Sequence, residues 1–237
     1  GPLEGAGNWS HEYANASMNN STSDTLVKAP LGVLWYGGPA SDRLYYLSGN
    51  RPAGGLIYDG RMFVQGDGAI AGFDAYTGRQ LWETAIPKMH IYNGTHGGGG
   101  GGLSKSQPWI DEKAAQKGIP PIQRARATGL NWAVTADCIY VFAAAECLRF
   151  DPVTGEELPA WHMPLPKVDG EELCWGHPRI VDGVLVATAF RPTDMRDARI
   201  GIGGNGGDWT GDRMPMSHVF AVHRGDGKVL WSKAANL

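Results

Sequence analysis

No stretch of this chain is apolar for long enough to cross a membrane or to act as an export signal, and residues 1–30 are polar, rich in Asn, Ser and Thr. Any export signal has therefore already been removed or was never part of this sequence. Cysteine is scarce: Cys138, Cys147 and Cys174 are the only three. They form no C-x-x-C-H, which excludes a covalent c-type haem, and no paired spacing of a zinc site, so no metal site is expected. Positive charge is not in excess either, with 21 Lys and Arg against 24 Asp and Glu, a net charge of −3 and a pI near 6.2. That balance offers no basic face to nucleic acid or anionic lipid, and neither is expected as a partner. Sustained helical periodicity is also missing, and only Ile110–Lys117 reads as a short helix.

What the chain has is turns and aromatics: 35 Gly, 15 Pro and 9 Trp in 237 residues, enough chain for a real core. It also has a repeat. Phe73-Asp74-Ala75-Tyr76-Thr77-Gly78-Arg79-Gln80-Leu81-Trp82 returns as Phe150-Asp151-Pro152-Val153-Thr154-Gly155-Glu156-Glu157-Leu158 with Trp161 two residues further on. It returns again as Val222-His223-Arg224-Gly225-Asp226-Gly227-Lys228-Val229-Leu230-Trp231. Each copy has the chemistry of a hairpin. An apolar strand leads to an Asp whose carboxylate accepts backbone N–H bonds, replaced by His223 in the third copy, then to a Gly free to take positive φ, then to a second strand carrying Trp.

Gly78, Gly155 and Gly227 are separated by 77 and 72 residues, more than the roughly 40–50 of an ordinary four-stranded repeat. Each unit therefore holds a four-stranded sheet plus an insertion. Upstream of the motifs, Gly55–Gln65 with its Asp59-Gly60 turn, Asn131–Phe142 and His177–Thr188 each read as two further strands. Four antiparallel strands in this order make a propeller blade. The expected fold is all-β: about three blades, at about 43–87, 129–165 and 175–235, with insertions at 88–128 and 191–217. Together with Leu31–Tyr36, which resembles the motif's last strand and reads as a closing strand, they make a partial β-propeller over 31–237, preceded by a polar segment, 1–30. Closed propellers need about 4–8 blades. The chain therefore reads as the first part of a longer propeller that pairs its open edges with remaining blades or with another protein chain, the rival reading being a self-contained small ring.

The string Ala71-Gly72-Phe73-Asp74-Ala75-Tyr76-Thr77-Gly78-Arg79-Gln80-Leu81-Trp82 resembles the repeat of the pyrroloquinoline-quinone-type β-propellers. These include quinoprotein alcohol dehydrogenases and an outer-membrane-assembly lipoprotein. The resemblance covers about residues 55–235. It implies that Trp82, Trp161 and Trp231 dock between neighbouring blades, around turns built on Asp74, Asp151, Gly78, Gly155 and Gly227. It also implies a periplasmic or extracellular setting. A quinone in this family rests on the axis, stacked on an aromatic ring, with Ca²⁺ held by a carboxylate and an amide oxygen, a basic side chain near the quinone oxygen and an Asp as base. The adjacent-cysteine ring that covers it in the alcohol dehydrogenases is absent here.

Candidate site residues come from the insertions, since loops longer than about 12–15 residues are usually functional or disordered. Asp194, Arg196, Asp197 and Arg199 form the densest charged cluster, with Trp209 and Asp212 close behind. Asp194, Arg196, Asp197 and Trp209 are the candidate cofactor contacts; the bland alternative is a solvated loop held by Arg–Asp pairs. The glycine runs bind no nucleotide. Gly102-Leu103-Ser104-Lys105-Ser106 lacks the adjacent Gly-Lys of a phosphate loop, and Gly201–Gly206 is not followed by a helix. None of the seven histidines has the spacing that puts two ligands on one metal. Cys138 and Cys147 flank Ile139–Ala145; a hairpin centred near Phe142-Ala143 would set them opposite each other and allow a bridge, the other reading being two buried free thiols.

Two functions follow as expectations. The first is a binding or scaffold propeller with no cofactor in this segment, its loops engaging a partner. The second is part of an alcohol or sugar oxidoreductase that uses pyrroloquinoline quinone with Ca²⁺. Catalytic residues are not assigned by the sequence.

Overall fold

The computed structural model describes residues 2–36, 54–65, 69–86, 116, 132–191 and 216–235. Among them the chain forms twelve strands in three four-stranded antiparallel sheets, and Gln116 alone is helical. The first sheet holds β1 (Leu56–Tyr58), β2 (Arg61–Gln65), β3 (Ala69–Asp74) and β4 (Gln80–Ala85). The second holds β5 (Trp132–Val134), β6 (Ile139–Ala143), β7 (Glu146–Phe150) and β8 (Glu157–His162). The third holds β9 (Cys174–Val181), β10 (Val184–Phe190), β11 (His218–His223) and β12 (Val229–Ala234). Each sheet pairs its strands in sequence order, the meander of a propeller blade, and the three do not close a ring. The short helix read at Ile110–Lys117 lies, all but Gln116, outside the described residues.

The turns follow from their residues. Asp59-Gly60 and Asp182-Gly183 place both central residues at positive φ, 53° and 72° in the first and 47° and 80° in the second. These mirror-image turns match the twist of the strands they join. In the repeated motif, Asp74 Oδ1 accepts the N–H of Tyr76 (3.0 Å) and of Thr77 (2.9 Å), and Asp151 Oδ1 accepts those of Val153 (2.7 Å) and Thr154 (2.8 Å). These bonds hold both carboxyls below the usual carboxylate range, led by the Thr77 hydroxyl at Asp74 and by the Thr154 N–H at Asp151. His223 stands where the third copy would carry Asp. There Asp226 takes over, its Oδ1 accepting from Lys228 N (3.1 Å) and lying 2.9 Å from His223 Nδ1.

The sheets stack face to face, which leaves β6 buried on both sides. Ile139, Val141 and Phe150 of the second sheet meet Leu56, Phe63 and Ile70 of the first. On its other face Tyr140, Phe142 and Cys147 meet Leu173, Trp175, Leu185 and Phe220. Trp175 is the hinge of that layer, 4.9 Å from Phe142 and 5.1 Å from Phe220 between ring centroids. The first strands β1, β5 and β9 lie side by side along the inner edge of the stack.

The hairpin β6–β7 corrects the cysteine register. Its turn is Ala144-Ala145, not Phe142-Ala143, so Cys147 faces Phe142 while Cys138 lies beyond the Ile139↔Phe150 pair. Both cysteines are free and buried, and burial raises the pKa of each thiol.

Candidate functional site

Two of the three motif tryptophans, Trp82 and Trp161, sit against the turn glycine of the next sheet. A Cβ built on Gly155 would stand 2.5 Å from Trp82 Cδ2, and one on Gly227 would stand 3.1 Å from Trp161 Cδ2. Real Cβ atoms do not come within 3.0 Å of a neighbour, so at Gly155 only a glycine admits the indole. Trp82 is pinned further by its Nε1, which donates to Pro152 O (3.3 Å), and by Thr84 Oγ1, which donates to Gly155 O (2.7 Å). Gly78 of the first sheet receives a tryptophan as well, Trp35, whose Nε1 donates to Ala75 O (2.9 Å). Trp35 belongs to the segment Leu31–Tyr36, which pairs with no strand among the described residues and leaves Leu31, Val33, Leu34 and Tyr36 exposed. At the other end of the stack Trp231 is 47 % exposed. Nothing in its sequence context marked Trp35 as a docking residue beyond its likeness to the motif's last strand.

The stack has two unlike ends. Asp59-Gly60, Asp182-Gly183 and the three motif turns lie at one end, where Arg224 of the third sheet bonds Thr135 Oγ1 (3.2 Å) and Asp137 of the second. All long connections leave and return at the opposite end: β4 to β5, β8 to β9, and β10 to β11. There the third sheet grips the β6–β7 turn, with Trp175 N donating to Ala144 O (2.8 Å) and Trp175 Nε1 to Ala145 O (3.2 Å). At this insertion end Gln65 is fully buried, and neither atom of its amide has a hydrogen-bond partner. The indole Nε1 of buried Trp132 has none either. Arg191 pairs with Asp169 at the edge of the second insertion. Asp194, Arg196, Asp197 and Trp209 lie outside the described residues.

The inner edge of the stack carries a feature the sequence did not signal. Residues 8–11 cross it near the tight-turn end. Trp9 exchanges two backbone bonds with Ile57 of β1 (2.7 and 2.8 Å), Ser10 O accepts from Val134 N of β5 (2.9 Å), and Asn8 Oδ1 accepts from Asp59 N (3.0 Å). His11 completes the crossing: its Nε2 accepts the N–H of Ile180 in β9 (3.0 Å). That acceptor role leaves the proton on Nδ1, which lies 2.8 Å from Ser10 Oγ. His11 is 3 % exposed, and burial, then the Arg179 guanidinium, lowers its pKa to about 4. It is a neutral, structural imidazole.

The described residues do not by themselves make up a Ca²⁺ site, and the candidate contacts for a quinone lie outside them. The partnerless polar atoms at the insertion end belong to a neutral amide and an indole, whereas Ca²⁺ is held by several oxygens with carboxylates among them. Among the described residues no three of His, Cys, Asp and Glu converge as metal ligands.

Comparison with protein-family profiles and with curated proteins finds no match. Among solved structures, this chain is similar to a quinohemoprotein alcohol dehydrogenase from Pseudomonas putida HK5, at 18% identity and TM-score 0.42, covering 77% of this chain and 20% of that one. A quinohemoprotein alcohol dehydrogenase from Comamonas testosteroni matches at 18% identity and TM-score 0.41, over 77% of this chain and 21% of that one. BamB from Moraxella catarrhalis matches at 18% identity and TM-score 0.32, over 76% of this chain and 50% of that one. The chain thus spans between a fifth and a half of the length of these structures. Likeness at this level carries no activity from them to this chain.

Proposed function

We propose that this chain is a binding or scaffold module, a quinoprotein-like portion of a β-propeller in an extracytoplasmic bacterial protein, periplasmic or extracellular. One observation carries the reading: a rigid stack of three sheets sends every long connection to the same end, while short turns close the other. Loops presented on one face of a rigid scaffold are the usual way a propeller engages a partner. The partner we infer is protein, either remaining blades or another chain. It meets the exposed Trp231 and the unpaired segment Leu31–Tyr36, and it contacts the insertion end. Among the described residues no helix is long and apolar enough to cross a membrane.

On this reading the chain holds no quinone tightly. Titration with pyrroloquinoline quinone and Ca²⁺, followed by thermal unfolding, tests it, since a ligand at about 100 times its Kd adds about 2.7 kcal/mol. No shift is expected. A Ca²⁺-dependent shift would establish the second reading, a quinone-dependent alcohol or sugar oxidoreductase. One observation favours that reading: the buried Gln65 and Trp132 groups at the insertion end have no protein partner. In that case Asp194, Arg196, Asp197 and Trp209 would be the cofactor contacts, and their substitution would abolish the shift.

A further inference from the structure

The inner strands of a sheet stack present a row of N–H and C=O groups on which an extended backbone can pair. Here the row is satisfied by Trp9 on β1 and Ser10 on β5, with His11 reaching β9. We propose that this inner edge is a peptide-binding site, that residues 8–11 are its intramolecular occupant, and that it exchanges them for an extended segment of another chain with the spacing Trp-x-His.

Three observations support exchange. Three of the bonds are backbone to backbone, so an extended segment can make them, and selectivity falls to Trp9 and His11, two residues apart, with Asn8 Oδ1 adding one bond to Asp59 N. Trp9 packs against the first inter-sheet core layer, and His11 fills a buried slot that needs an unprotonated nitrogen facing Ile180 N–H. Phe or Lys in that slot would leave the Ile180 N–H unsatisfied. The chain that returns from the site is also strained: Tyr13, Ala14, Met18 and Asn20 all lie at positive φ (60°, 85°, 53° and 55°) without being glycine. Such backbone persists only where its surroundings enforce it. A segment from another chain makes the same pairing without that turn, so exchange relieves strain instead of adding it.

The site is distinct from the insertion end and stands whether or not that end binds a partner. The test uses the full chain and a fluorescein-labelled peptide with the sequence of residues 7–13. The His11→Ala chain, whose own segment is held less firmly, should bind this peptide at least about tenfold tighter than the wild-type chain. The same peptide with His replaced by Ala should bind at least about tenfold more weakly. Equal affinity for the two peptides, or no binding by a His11→Ala chain that melts cooperatively, overturns the proposal. Hydrogen exchange on the unaltered chain decides independently of that variant's folding. The amides of Ile57, Val134 and Ile180 should share one opening, faster than that of Phe63 and Val141 in the strands behind them. If all five exchange only with global unfolding, the segment is a permanent part of the core and the site does not exist.

Discussion

Trp82 and Trp231 occupy the same place in the same motif, four residues after the turn glycine, yet their surroundings differ. Trp82 lies between Gly72, its cross-strand partner, and Gly155 of the next sheet, and its indole N–H is bonded. Trp231 faces Ala221 across its own sheet and is 47 % exposed, at the edge of a strand exposed along its length. Both hairpins form, with the same register shift just before the tryptophan. The motif therefore dictates the hairpin locally, while the neighbouring sheet decides whether the indole is buried. Trp161 falls between the two: Arg149 covers its ring at 4.4 Å, and the contact with Gly227 is looser.

The largest effects should come from the tight contact. Trp82→Ala removes an indole wedged between two sheets and should cost about 3–5 kcal/mol in urea unfolding. Gly155→Ala should cost about 3 kcal/mol, because its Cβ meets the indole while φ is +74°. If either change costs less than about 1 kcal/mol, sheet-to-sheet docking does not hold the stack and the comparison collapses.

Next in size is a pH effect from the inner edge. The folded-state pKa of His11 is about 4, below the 6.5 of an unfolded histidine. The unfolded chain therefore binds the extra proton between these values, and stability falls as pH drops from about 6.5 toward 4. Above 6.5 the contribution is fully present. The loss should be about 3 kcal/mol across that window, read from urea midpoints at stepped pH. A His11→Ala chain, already less stable, should show a flatter profile there. An unchanged profile would mean that His11 does not bind β9 to the other sheets.

Gly227→Ala ranks third. The nearest Trp161 atom would be 3.1 Å from the new Cβ, so the indole can yield by a few tenths of an ångström, and the penalty reduces mainly to positive φ. About 1–2 kcal/mol is expected. A cost equal to that of Gly155→Ala would show that Trp161 is gripped as firmly as Trp82, despite its displacement by two residues.

The hairpins were legible because Asp-Gly pairs and the repeated motif are local signals. The strand that carries Trp82 could be read from ten residues alone. The β6–β7 register was not legible. Its turn is made by Ala144 and Ala145, with Ala144 at φ 53°, and alanine announces no left-handed turn. The crossing by Trp9–His11 was equally silent, since backbone pairing with strand edges leaves no periodicity in Asn8-Trp9-Ser10-His11. Nor could sequence tell that Gln65, at the end of an ordinary amphipathic strand, would bury an amide without a partner. Such features depend on what lies opposite in space, which neither composition nor spacing records.

The smallest effect on the isolated chain sharpens the comparison most. Trp231→Ala removes a side chain that nearly half faces solvent and whose strand packs only on β11, so the stability of the chain alone should change by no more than about 0.5 kcal/mol. The same substitution has a different meaning if the exposed indole waits for a glycine turn as Trp82 and Trp161 do. Remaining blades or a partner chain docking there would bury it, and the substitution would then weaken association without altering the free chain. Sedimentation with such a partner, alongside unfolding of the chain alone, separates these contributions. A marked loss of stability in the chain alone would show that Trp231 is already docked, and that the third sheet ends the stack on a surface as closed as the one beneath Trp82.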